Sequence, residues 1–190
     1  MMEGVDSQCN SVIVIVGGMG PLAGIQCYKY VLENSKTNGT DQDNLDTLVV
    51  SYPRRIENRV EFVLGRSDVN PGSCVLEFLL PYLHMLSTSY KKVIVGVPCV
   101  TFHCPPIFSV FSEGIESSFP SVLVVSIVKS TVDFINSYYP RITRIGILST
   151  DGTRRLKPFA KEFEESEKEL VYLSDRQQVV VSDCIFNTQW

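Results

Sequence analysis

Long apolar runs, paired cysteines and blocks of positive charge are all missing from this sequence, and each absence excludes something. The longest apolar stretches fall far short of the ~20 residues that cross a bilayer. The first ten residues, MMEGVDSQCN, carry two acids and no Lys or Arg, unlike the basic start of a secretory signal. No basic cluster interrupts a chain with 17 basic and 21 acidic side chains and a net charge of −4. Neither nucleic acid nor an anionic membrane surface is therefore an expected partner. Six cysteines are present (Cys9, Cys27, Cys74, Cys99, Cys104, Cys184), but no CxxC pair and only two histidines, which argues against a zinc site. Without secretion these cysteines read as reduced thiols, any of which is available for chemistry. What is there is ordinary globular material. With 44% hydrophobic and 20% charged residues over 190 positions, the chain is no disordered tail or coiled coil and can build one large domain or two small ones.

Short β-branched runs alternate with longer amphipathic stretches. Strands are expected at Ser11–Val16, Leu48–Ser51, Lys92–Val97, Ser121–Ile127, Arg144–Leu148 and Leu170–Leu173. Helices are expected over Leu22–Asn34, Val75–Leu86 (capped by Gly72 or Ser73 and kinked or split at Pro81), Thr131–Tyr138 and Arg154–Glu169, with a last one starting near Arg176. Thr37–Asn44 reads as one polar loop. Continuous apolar strands separated by helices predict an α/β fold with parallel sheet buried on both faces. The junction between two similar halves is expected at Ser117–Pro120, giving an N-terminal α/β domain over 1–117 and a second over 118–190. Four turns then fall at the carboxyl ends of strands, where open parallel sheets bind ligands: Gly17–Pro21, Ser51–Arg59, Pro98–His103 and Ser149–Thr153.

Each turn has a bland and a chemical reading. Gly18, Gly20 and Ala23 match the spacing GxGxxA of a dinucleotide-binding turn, but the second strand ends in Ser51 and Tyr52 rather than in the acid such a site needs. A tight turn, or a turn binding a carboxylate or phosphate, accounts for it as well. Cys99 stands just past a strand beside a helix start, with the Thr101 hydroxyl two residues on and His103 available as a proton relay. The alternative is a small packed thiol with His103 as a cap. Cys104, before Pro105 and Pro106, reads as structural. Ser149–Thr153 offers hydroxyls and backbone N–H groups to a carboxylate, or is a turn at Asp151 with Thr153 as N-cap. Arg54, Arg55 and Arg59 come after the second strand, one of them a candidate carboxylate partner. His84 reads as a core-edge or surface residue.

Taken together, Ile15–Ala23 (IVGGMGPLA), Asp41–Asp43, Pro53 to Arg59, Pro98–His103 (PCVTFH), Ser149–Thr153 (STDGT) and Gln178 with Ile185 and Phe186 resemble the cofactor-independent aspartate/glutamate racemase family through nearly the whole chain. The resemblance implies two pseudo-symmetric, flavodoxin-like parallel-sheet domains, the second incomplete here, with a small amino-acid substrate between them. It also implies neither pyridoxal phosphate nor metal, and a cytoplasmic enzyme. By this resemblance Cys99 is the catalytic acid/base that moves the α-proton. Met19, Arg59, Thr101, Thr150, Gly152 and Thr153 are substrate contacts, with Arg59 facing a side-chain carboxylate. Two departures stand out. Val100 and Phe102 replace the family's usual Asn and a small residue, which by the resemblance removes a substrate hydrogen bond and narrows the pocket. The family's second cysteine lies in a Gly-Cys-Thr-Glu segment, whereas this sequence reaches Trp190 in the helix before it, and Cys184 comes too early on a helix to substitute. The expectation is a racemase-type chain with only one of its two thiols, and self-association into a homo-oligomer through an unpaired sheet edge. The alternative is a catalytically silent relative that binds a small dicarboxylate or amino acid, or acts as an interaction partner.

Overall fold

The computed structural model describes residues 10–164 and 168–187, so the readings placed on Cys9, on the first nine residues, on Trp190 and on positions 165–167 lie outside it. In chain order the elements are β1 (Ser11–Gly17), α1 (Pro21–Asn34), β2 (Thr47–Ser51), α2 (Arg59–Val63), α3 (Pro71–Ser89), β3 (Lys92–Gly96), α4 (Pro105–Glu116), β4 (Val122–Val125), α5 (Ile127–Tyr138), β5 (Arg144–Ile147), α6 (Asp151–Leu156), α7 (Ala160–Phe163), β6 (Glu169–Tyr172) and α8 (Asp175–Phe186). Single 3₁₀ turns at Asp41–Asp43, Pro53–Arg55 and Val100–His103 link them.

The fold is α/β. Four parallel strands run in the order β2-β1-β3-β4, and β5 and β6 pair in parallel as a second, smaller sheet. β4 is hydrogen-bonded to β3 from Val93↔Val122 to Gly96↔Val125, so Ser117–Pro120 lies inside a crossover of the first sheet, and the sheets divide only after β4. The expected Ser121–Ile127 strand is cut short because the Ser126 side chain accepts from the Lys129 N–H and starts α5 at Ile127.

The central strands β1 and β3 explain the unbroken apolar runs. Val14, Val16, Val93 and Val95 are fully buried between covering helices. On α4 Ile107, Phe111 and Ile115 recur every four residues, and on α3 Val75, Leu79 and Leu83 do the same, so the two helices face one core. Pro81 neither splits nor ends α3, which runs through it. Pro81 itself is exposed, so its missing hydrogen bond falls on the wet face while the buried stripe stays continuous. Asn70, not Gly72 or Ser73, caps this helix, accepting from the Gly72 N–H at 2.8 Å.

The expected charged helix over Arg154–Glu169 is in fact broken. Lys157, before Pro158, takes the left-handed conformation (φ 44°) that closes α6, and α7 restarts at Ala160. Among the described residues no helix is long and apolar enough to cross a membrane.

Candidate active site

The order β2-β1-β3 places a topological switch between β1 and β3, where the chain leaves the two central strands in opposite directions. All four of the strand-end turns contribute to one cavity of about 950 Å³ at that rim, lined from the first sheet's side by Met19, Gly20, Asn58, Arg59 and Cys99–Thr101. From the second sheet come Ile147, Leu148, Ser149–Thr153, Phe159, Ile185 and Phe186. Cys99, Met19, Arg59, Thr101, Thr150, Gly152 and Thr153 are thus brought together. His103 is not among the lining residues.

Local chemistry explains each placement. Gly18 leaves β1 at φ +99°, and a Cβ there would sit 3.2 Å from the backbone nitrogens of both Tyr52 and Pro53, so the turn needs glycine. Met19, carried by this turn, is buried, and its carbonyl accepts from Arg59 Nη2 at 3.3 Å. Arg59 opens α2, which Asn58 caps by accepting from the Val60 N–H at 2.9 Å. Arg59 Nε is buried with no protein partner. Arg55, by contrast, pairs with Glu77 at 2.7 Å and lies over the Tyr52 and Phe78 rings, away from the cavity.

Three hydroxyls join the two sheets. Thr101 Oγ1 and Thr153 Oγ1 are 2.9 Å apart, and Thr150 Oγ1 lies 3.4 Å from Thr153 Oγ1. Thr150, not Thr153, is the N-cap of α6, accepting from the Thr153 N–H at 3.4 Å. With Thr150 donating to Thr153 and Thr153 to Thr101, the Thr101 proton is left over for a ligand. Gly152 serves close approach: a Cβ there would stand 2.5 Å from Val60 Cγ2, so any side chain would push α6 off α2. Gln178, buried at 4% exposure, donates to the Ser149 carbonyl at 2.9 Å and so pins the same turn from α8. Arg154 ties the two helix starts together, donating to Asp151, to Asp175 at 2.8 Å and to the Leu173 carbonyl at 3.3 Å. Asp151 is held by both Arg154 and Arg155, so its carboxylate is neutralised by two cations that do not themselves line the cavity.

The proton-relay reading of His103 does not survive the geometry. The ring is 5% exposed; Nδ1 donates to the Cys99 carbonyl at 2.9 Å and Nε2 accepts from the Ile127 N–H at 3.3 Å. Both nitrogens are spent on backbone, and burial pushes the imidazole below its ordinary pKa, so it stays neutral. Phe102 does not narrow the cavity: it is fully buried and packs edge-on against Phe111 at 5.2 Å.

Cys99 is half-buried and is the one thiol lining the cavity among the described residues. Cys104 is buried beside it, and desolvation pushes its pKa up to about 12, with the neighbouring Cys99 adding to the effect. Because the folded value is the higher one, this contribution to stability is intact below the ordinary thiol pKa of about 8.5 and is lost as pH rises from there through the folded value of about 12. In the native protein at pH 8, iodoacetamide is expected to spare Cys104 while labelling the exposed Cys184, and to reach Cys104 only after unfolding in urea. Peptide mapping reads the result, and equal labelling of both in the native state would contradict the burial.

The residues that sequence reasoning did not single out for the cavity are Asn58, Val60, Gly146, Ile147, Leu148 and Phe159. Asn58 carried a cap signal, but an apolar side chain such as Val60 or Phe159 on a cavity wall looks in sequence like any core residue. Among the described residues no three His, Cys, Asp or Glu side chains come together as a metal would require.

No protein-family model matches the chain. Solved structures do match its fold. An aspartate racemase from Picrophilus torridus superposes with a TM-score of 0.72 at 19% identity, covering 92% of this chain and 66% of that one. An aspartate racemase homologue from Pyrococcus horikoshii OT3 does so with 0.64 at 18%, covering 92% and 69%. The chain thus spans about two thirds of the length of the structures it matches, and the fold it shares with them is the α/β arrangement described above.

Proposed function

We propose that this chain is an amino-acid racemase of the aspartate/glutamate racemase type, working by proton transfer at the α-carbon with Cys99 as the base. The observation that carries this reading is the convergence of Cys99, Arg59, Thr101 and Thr150 on one cavity between the two sheets. The racemase fold of its structural neighbours supports it further. In the proposed step the Cys99 thiolate takes the α-proton. An S–H bond forms as the Cα–H bond breaks, and the electron pair moves into the carboxylate, which becomes an enediolate-like dianion. That charge is stabilised by donors already in place, the Thr101 hydroxyl and the Arg59 guanidinium, at no reorganisation cost. A proton then returns to carbon, from the Cys99 thiol on the same face or from solvent water on the opposite one, and the carboxylate is regenerated. In this step the thiol takes the proton and the substrate carboxylate, held by the Thr101 and Arg59 donors, takes the electron pair.

The test is α-deuterium incorporation in heavy water, followed by NMR, over a panel of L- and D-amino acids. Incorporation by the wild type that falls to the buffer rate in Cys99→Ala is the expected result. Equal rates for the two proteins would overturn the proposal. A second reading, a binder without turnover, is favoured by Cys99 being the only thiol on the cavity wall among the described residues. It predicts that an amino acid raises the melting temperature of wild type and Cys99→Ala alike, with no exchange by either.

A further inference from the structure

Resting on the racemase reading, we infer that the substrate is a monocarboxylic α-amino acid with a large apolar side chain, rather than a dicarboxylic one. The cavity is mixed in character. Its polar lining is the hydroxyl cluster of Thr101, Thr150 and Thr153 together with Arg59. Its apolar lining is Val60, Val100, Ile147 and Phe159, all half-buried, with the more exposed Ile185 and Phe186. These side chains come from α2, from the 3₁₀ turn after β3, from the end of β5, from the turn between α6 and α7 and from the end of α8.

Charge decides between the two substrate classes. Arg59 is the only Lys or Arg lining the cavity among the described residues. The only other charged lining group is Asp151, whose carboxylate is already matched by Arg154 and Arg155. One cation with a set of hydroxyls accounts for one carboxylate. A second carboxylate, on an aspartate or glutamate side chain, would meet no second cation among the described lining residues, and burying an unpaired charge beside apolar side chains is strongly unfavourable. A leucine or phenylalanine side chain against the apolar lining removes apolar surface from water on both partners. Val100, directly after Cys99, places part of this apolar surface beside the reacting thiol. A volume of about 950 Å³ leaves ample room for an aromatic side chain.

Titration by ligand-observed NMR tests the inference without requiring turnover. Phenylalanine and leucine are expected to bind at least tenfold more tightly than aspartate and glutamate, the scale on which apolar pockets discriminate. Phe159→Lys, which puts a second cation in the apolar lining, is expected to reverse the order in favour of glutamate. Should that variant unfold, Ile185→Lys at a more exposed position makes the same test with less disturbance. Aspartate or glutamate binding as tightly as phenylalanine, or no binding of either apolar amino acid at its solubility limit, would overturn the inference. The exchange assay separates this failure from failure of the racemase reading. Cys99-dependent exchange confined to aspartate or glutamate keeps the racemase and rejects the apolar substrate. Tight phenylalanine binding without exchange keeps the apolar ligand and rejects the racemase.

Discussion

In heavy water the 190-residue chain is expected to exchange the α-proton of its amino acid faster than it inverts the centre, by about 10²–10⁴-fold, the usual worth of a positioned general acid. Inversion needs a base and an acid on opposite faces of one carbon. The cavity wall offers a single thiol among the described residues, and the second proton-transfer candidate, His103, has both ring nitrogens bound to backbone. Cys104, next along the chain after His103, is buried and is not among the residues lining the cavity, so its thiol is not placed to stand in. On the proposed reading, Cys99 removes a proton and returns a solvent-exchanged deuteron from the same side, with retention. Delivery from the other side falls to unpositioned water. The experiment runs L- and D-enantiomers separately, reading deuterium by NMR and configuration by chiral chromatography. Retention with deuterium is the expected pattern. Inversion as fast as exchange, abolished by Cys99→Ala, would mean that a second acid completes the site and would reject the one-thiol account.

The strands and the strand-end turns were legible because their signals are local. SVIVIV and KVIVG are β-branched runs that only a doubly covered sheet can bury, and the turns GGMGP, PCVTFH and STDGT mark where strands give way to helices. The sheet division was not legible, because which strand β4 joins is decided by pairing with β3, and nothing in VLVV itself distinguishes one sheet from the other. The break in the charged helix was within reach, since Pro158 already argues against right-handed helix at Lys157. In the site, Cys99, Thr101 and Thr150 were readable as reactive or polar residues at strand ends. The apolar lining was not, because Val60 and Phe159 acquire their meaning only from the space they face. His103 misled for a related reason. A histidine four residues from a cysteine reads as its partner, yet in a 3₁₀ turn that separation brings the ring to the Cys99 carbonyl.

Replacing His103 by alanine is expected to lower stability by about 3–5 kcal/mol, because it leaves the Ile127 N–H without its partner, at roughly 1–3 kcal/mol, removes one of the two hydrogen bonds to the Cys99 carbonyl, at roughly 1 kcal/mol, and opens a cavity besides. The Cys99 carbonyl would keep only the Phe102 N–H, and the Ile127 N–H at the first turn of α5 would lose the ring nitrogen it donates to. The ring also stacks on Phe108 at 4.3 Å, so the 3₁₀ turn beside Cys99, the start of α5 and the face of α4 are held through one side chain. Desolvation by burial is what depresses its pKa, with the Cys99 and Val125 carbonyls pulling weakly the other way. A histidine whose folded pKa lies below the unfolded value of about 6.5 contributes stability that is present above pH 6.5 and lost as pH falls through the depressed folded value. Urea unfolding at pH 8 and across pH 7 to 5 separates the two effects. The variant should be less stable at pH 8, and its stability should fall less steeply between pH 6.5 and 5 than that of the wild type. A variant as stable as wild type at pH 8, with the acid slope unchanged, would mean that His103 holds nothing together. The position of Cys99 at the cavity rim would then need another support than the ring that now brackets its carbonyl.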